Sequence, residues 1–204
     1  MGHASSADAR KHTDTLEPPQ HYLDLDDVLD AWPEASSSAE LVGMSWHDYC
    51  TMLTSIDSTP DVRRFGVLPW QLHWTYRKLV TLKAPTDSTP VALDNVLRTA
   101  ADLGHYLADA HVPLHTTGNY NGQRTNRTGI HALWETYYVE QLMASHTCDL
   151  PEALPDYDPL WTPWDVLRTS HEDVVHVLAA EAEWRQLTQA HGWALRRRGR
   201  TLSM

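Results

Sequence analysis

An all-α fold is what the sequence predicts, on three observations. Apolar residues recur at the i, i+3, i+4, i+7 spacing of a helix with one buried face over several long stretches. No segment holds a convincing run of strand alternation. Residues 21–28 alternate briefly, and nothing near them in the sequence offers a partner. Of the 204 residues, 42% are hydrophobic and 21% charged, the balance of a chain that buries a core as one domain spanning 1–204.

Taken in order, residues 1–20 are polar, lack an apolar period and read as coil or as the end of an element whose beginning is missing, and residues 33–40 read as a loop. Trp46–Leu53 forms a short amphipathic helix. A stronger helix opens at Leu68-Pro69, with Leu72, Tyr76, Leu79, Val80 and Leu82 as apolar positions, and breaks over Pro85–Pro90. Val91–Val112 is the clearest helix. Leu93, Val96, Leu97, Ala100, Leu103, Leu107 and Ala110 keep helical spacing until Pro113 ends the pattern. Residues 116–129 read as loop, with a turn signal at Asn121-Gly122. Ile130–Met143 is helical again, residues 149–163 hold four prolines and connect, and Trp164–His191 reads as one long helix. The basic tail Arg196–Arg200 reads as a solvated helix end.

Charge and composition exclude several functions. The formal net charge is −11, which repels nucleic-acid backbones and anionic membranes, so no stable nucleic-acid partner is expected on electrostatic grounds. No apolar stretch is long enough for a transmembrane segment. The N-terminus lacks the basic, apolar, small-residue order of a secretion signal. Cys50 and Cys148 are too few for a disulfide scaffold or a thiolate zinc cluster. Thirteen histidines stand out, because histidine and carboxylate are zinc ligands.

The chemistry concentrates in residues 105–135. His105 and Asp109 stand four apart on the best helix, which puts them on one face. Their neighbours Leu103, Leu107 and Ala110 are apolar, so a carboxylate buried there needs a partner, and a metal ion is one such partner. His115 follows just past Pro113. His131 and Glu135 form a second i, i+4 pair behind Gly129. A single pair of this kind is most often a surface or capping interaction. The conjunction of two pairs with a histidine between them points to a multi-zinc site.

Several motifs carry a family resemblance. His105-Tyr106-Leu107-Ala108-Asp109-Ala110-His111-Val112-Pro113-Leu114-His115 and Gly129-Ile130-His131-Ala132-Leu133-Trp134-Glu135 resemble the signature of the zinc-dependent phospholipase C and single-strand nuclease superfamily. His21-Tyr22-Leu23-Asp24 resembles the segment with a further zinc histidine, and Asp8 stands where the family places a zinc aspartate. Gly66-Val67-Leu68-Pro69-Trp70 and Asn119-Tyr120-Asn121-Gly122 are similar to a bacterial branch of it.

The resemblance implies an all-α domain with zinc ions between its helices. Asp8, His21, His105 and Asp109 would hold one, and His115, His131 and Glu135 a second. Asp109 would also face a third, which in the family needs an N-terminal tryptophan and a nearby histidine. Here the first tryptophan is Trp32, and measured against the family the chain is shortened at both ends. The implied activity is hydrolysis of a phosphate ester, of a phospholipid head group or a nucleic acid, with Asp8 doubling as proton acceptor from a metal-activated water. Glu135 and the Asn-rich loop before His131 are more similar to the phospholipase C branch; an aspartate is usual at that position among the nucleases. The family is usually secreted or periplasmic. A non-catalytic, zinc-stabilised remnant is the alternative from another class.

Overall fold

A computed structural model of the chain describes residues 6–32, 38–83, 89–140, 142, 158, 162–190, 196–197 and 200–201. Among them the fold is all-α apart from one short antiparallel pairing of Arg196–Arg197 with Arg200–Thr201. The helices are α1 (Ser6–Arg10), α2 (Leu25–Ala31), α3 (Ser38–Leu41), α4 (Trp46–Ile56), α5 (Leu68–Lys83) and α6 (Pro90–Ala110). They continue with α7 (Ile130–Ala132), which runs into a π-helical stretch Leu133–Tyr138, then α8 (Thr162–Glu172) and α9 (Val174–Ala190).

Local chemistry explains the boundaries. Ser45 caps α4 by accepting from the Asp48 N–H, and Thr89 caps α6 by accepting from Ala92, with Pro90 at the first helical position. At the far end of α6, Pro113 opens a 3-10 turn, Pro113–His115, that ends on the buried His115. Gly129, at φ +103°, turns the chain into α7.

Five sequence expectations need correction. The coil reading of residues 1–20 fails at Ser6–Arg10, which form α1, and at Pro18–His21, a 3-10 turn, and the loop reading of 33–40 fails where α3 begins at Ser38. Trp164–His191 is not one helix. It breaks at Asp173, whose carbonyl accepts the Val177 N–H to start α9, a one-residue break that apolar period cannot register. The Arg196–Arg200 stretch contributes to a strand pair rather than a helix end. The first half of α6 does not bury its apolar stripe, since Leu93 and Leu97 are 57% and 50% exposed. Residues 33–37, Met143, Cys148 and most of 149–161 lie outside the described residues.

The core is aromatic. Tyr49 stacks on Trp70 at 4.3 Å, and Trp70 meets Trp164 edge-on at 5.3 Å. The Trp70 indole N–H donates to the Met44 carbonyl, so its polar end is satisfied. Leu68, Leu72, Leu167, Val28 and Leu25 fill the remainder. Leu114, Ile130 and Val177 make a smaller cluster beneath α7.

One extended segment, residues 22–24, ties these layers together. Leu23 and Leu25 N–H groups donate to the His115 and Thr116 carbonyls, and Asp24 N–H donates to Phe65. Leu23 bridges Gly66, at φ +87°, where an added Cβ would lie 2.1 Å from the Tyr22 oxygen. Only glycine allows that approach. The brief alternation in residues 21–28 therefore marks a real extended segment, paired with residues more than forty positions away. No helix among the described residues is long and apolar enough to cross a membrane.

Candidate metal centre

Several separate pieces of chain deliver the side chains, Asp8 coming from α1. The last two turns of α6 carry His105 and Asp109, with Tyr106 buried beside them. The two 3-10 turns end on His21 and His115. The turn at Gly129 sets His131 in α7 and Glu135 in the π-helical stretch. The backbone bonds of the 22–25 segment hold the two 3-10 turns in register.

The first set converges on α6. His21 Nδ1 lies 2.7 Å from Asp109 Oδ2 and 3.1 Å from His105 Nε2. His105 Nε2 is 3.3 Å from the same Asp109 oxygen and 3.7 Å from Asp8 Oδ1. Asp8 is the exposed member and also pairs with Lys11 at 2.7 Å. In the second set, His115 Nε2 is 2.7 Å from Glu135 Oε1, and His131 Nε2 is 3.1 Å from Glu135 Oε2. The rings of His115 and His131 stack at 5.1 Å. Asp109 also borders the second set: its other oxygen lies 3.9 Å from His115 Nδ1, the nitrogen that faces the His21 carbonyl. All seven residues singled out in the sequence thus stand in two adjoining groups.

The electrostatics follow from burial against pairing. Burial alone would raise the Asp109 carboxyl, but hydrogen bonds with His105 and His21 outweigh it and hold Asp109 well below the usual carboxylate range. Glu135 behaves alike: against burial, His115 and His131 bring it down to about 2. His105 is raised above the ordinary imidazole value by its hydrogen bond to Asp109, against burial. Burial pulls His115 down, but its bond to Glu135 and the charges of Asp109 and Glu135 leave it raised.

The donor sets fit a divalent ion. Asp8, His21 and His105 offer ligand atoms within 4.8 Å of one another, and so do His115, His131 and Glu135. Zinc–nitrogen bonds of about 2.0–2.1 Å in a tetrahedron set neighbouring ligand atoms roughly 3.3 Å apart, close to the spacings found here. His115 Nδ1 lies 2.6 Å from the His21 carbonyl oxygen, a contact that as a hydrogen bond leaves Nε2 as the free lone pair. His131 Nδ1 is buried with no hydrogen-bond partner among the described residues.

A cavity of about 260 Å³ opens on His21, His115 and His131, walled by Tyr22, Tyr120 and Asp24. Tyr120 is half exposed and stands edge-on to His131 at 5.8 Å. Burial, with Asp27 and Asp26 nearby, pushes the Asp24 carboxyl up to about 7. The furrow beside α5 and α6 is roomier, with cavities of about 340 and 370 Å³, but among the described residues its side chains form no comparable ligand set. Sequence reading missed Glu17, which is 3% exposed and 3.3 Å from His21 Nε2. Its signal was the i, i+4 spacing to His21, hidden by Pro18-Pro19. It also gave no role to the wall residues, because a cavity wall leaves no period in a sequence.

No family model, curated protein or solved structure matches the chain.

Proposed function

We propose that the chain is a zinc-dependent phosphoesterase of the phospholipase C and nuclease type. The observation that carries this reading is that two three-residue ligand sets stand side by side, with Asp109 2.7 and 3.3 Å from the two histidines of the first. The motif resemblance in residues 105–115 and 129–135 supports it. Bound there, zinc would supply a water more acidic than bulk water and positive charge against the phosphoryl oxygens.

The chain's own residues do the rest. Asp8, His21, His105 and Asp109 would hold one ion, and His115, His131 and Glu135 the other. Asp8, the most exposed carboxylate of the set, is placed to accept a proton from water entering the site. The net charge of −11 does not bar an anionic substrate, since two divalent ions reverse the local sign. The cavity walls would receive the organic part of the ester.

Hydrolysis of a phospholipid head group is the first reading, on Glu135 and the Asn-rich loop. One observation favours a nuclease instead: Tyr22 and Tyr120 both wall the cavity, and tyrosine faces stack bases without regard to sequence.

The test is zinc per chain by elemental analysis beside hydrolysis of bis-p-nitrophenyl phosphate. Two zinc ions with chelator-sensitive turnover are expected. Alanine at His105 or His131 should each lower zinc content and melting temperature together, because metal binding and folding are coupled. Zinc without turnover would leave only a zinc-stabilised remnant. A chain without zinc would overturn the reading.

A further inference from the structure

We propose that Glu17 is the positioning carboxylate of the Asp8, His21 and His105 set: it accepts the Nε2 proton of His21 and so keeps Nδ1 facing Asp109 and His105. The inference rests on the metal-centre reading and adds to it a residue that touches no substrate.

His21 has two ring nitrogens in different surroundings. Nδ1 points into the ligand set, 2.7 Å from Asp109 and 3.1 Å from His105. Nε2 points away from it, 3.3 Å from Glu17 Oε1. A neutral imidazole ligates through one nitrogen only when the other carries the proton. A carboxylate that takes that proton as a hydrogen bond fixes the tautomer, orients the ring and makes the ligating nitrogen more basic.

Glu17 is built for this place. It precedes His21 by one turn, and Pro18 and Pro19 between them fix the backbone. It is 3% exposed, and a carboxylate so buried must be hydrogen-bonded. Tyr106 Oη donates to Oε1 at 2.6 Å, while Arg10 donates through Nε to Oε2 at 2.9 Å and through its terminal nitrogen to Oε1 at 3.1 Å. Those donors outweigh burial and keep the Glu17 carboxyl below its ordinary value.

The same knot reaches the other ligands. Arg10 also donates to Asp102 on α6 at 3.1 Å and to Tyr106 Oη at 3.1 Å. Arg10 stands two residues after Asp8 on the short helix α1. Glu17 and Arg10 thereby join the helix bearing Asp8, the turn bearing His21 and the helix bearing His105 and Asp109. A purely structural ion pair would join the same elements without any bearing on the His21 tautomer, and the two roles separate by experiment.

The probe is the zinc ion, titrated into the metal-free full-length chain against a chromophoric chelator. In Glu17→Gln the amide has one acceptor where the carboxylate had two, and its N–H₂ meets the donors of Arg10. The first set is expected to lose about 10–100-fold in zinc affinity, with the His115, His131 and Glu135 set unchanged. The metal-free circular dichroism should keep its helical signal while the melting temperature falls, because the buried pair with Arg10 loses a charge; the selective loss at the first set is the readout that a structural role alone would not give. A second readout needs no variant, and so survives a Glu17→Gln chain that does not fold. Long-range ¹H–¹⁵N correlation of the zinc-loaded wild type should find His21 protonated at Nε2 and metal-bound at Nδ1.

A proton on Nδ1 would overturn the proposal. So would wild-type affinity at both sets in Glu17→Gln, or equal weakening of both. A wild-type chain that takes up no zinc at all overturns the metal centre itself. That failure shows before any substitution is made, so it is not confused with a failure of Glu17.

Discussion

Asp24 shows how a single side chain records its surroundings. Burial, then the charges of Asp27 and Asp26, push its carboxyl up from 3.8 to about 7. The two neighbours are themselves committed: Asp27 grips Arg124 through two bonds of 2.5 and 2.7 Å, and Asp26 accepts from Thr117 and Gly118. Asp24 is left to face them, so its folded state prefers the proton. A group whose folded value lies above its unfolded value costs stability as pH rises between the two, and the cost is complete above the higher value. Replacing Asp24 with the neutral isostere Asn removes that cost. In the presence of chelator, Asp24→Asn is therefore expected to unfold at higher denaturant than wild type at pH 8. The advantage should grow from about pH 4 to about pH 7 and then stay level. A difference between the two chains that does not change with pH would show that Asp24 ionises freely in the fold.

At the scale of elements, α6 carries the argument, because one helix supplies both members of the first His–carboxylate pair. Its existence and phase were legible: Leu103, Leu107 and Ala110 repeat at helical spacing, Thr89-Pro90 opens it and Pro113 closes it. The pairing of His105 with Asp109, and of His131 with Glu135, follows from the i, i+4 rule alone. What covers a helix does not follow. Period marks Leu93 and Leu97 as apolar, yet both are at least half exposed, since spacing names a face and not its neighbour. The approach of His21 to Asp109 was legible only through resemblance, because it depends on the bridge of Leu23 to Gly66 and on backbone bonds to residues 115 and 116. The π-helical register under Glu135 has no sequence signature of its own. Thr89 separates the element from its site. Its hydroxyl caps the first turn, while His105 and Asp109 stand at the opposite end, more than four turns away. Thr89→Ala is expected to cost about 1 kcal/mol of unfolding free energy, as lost caps do, with zinc affinity unchanged. Weakened zinc binding in that variant would mean that fraying at the N-terminus of α6 reaches the metal centre.

For the whole molecule, the decisive quantity is how folding and metal binding share free energy. Without an ion, the two sets hold together as histidine–carboxylate pairs. His105 and His115 have raised values, so the stability they contribute is full below about pH 6.5 and is lost as pH rises through their folded values. The same nitrogens would have to lose their protons to hold the proposed zinc, so the stabilisation it would supply grows as pH rises. Metal-free and zinc-loaded protein should therefore respond to pH in opposite directions above neutrality. At a free zinc concentration 100 times the dissociation constant, each proposed site would add about 2.7 kcal/mol to folding. For a domain of this length that is a rise of roughly 5–10 °C per site. Calorimetry between pH 6.5 and 8.5, with zinc and with chelator, checks both statements. The zinc-loaded melting temperature should pull steadily away from the metal-free one as pH rises. Parallel curves would mean that the histidines already stand deprotonated in the metal-free fold, and coincident curves would mean that zinc does not bind the folded chain.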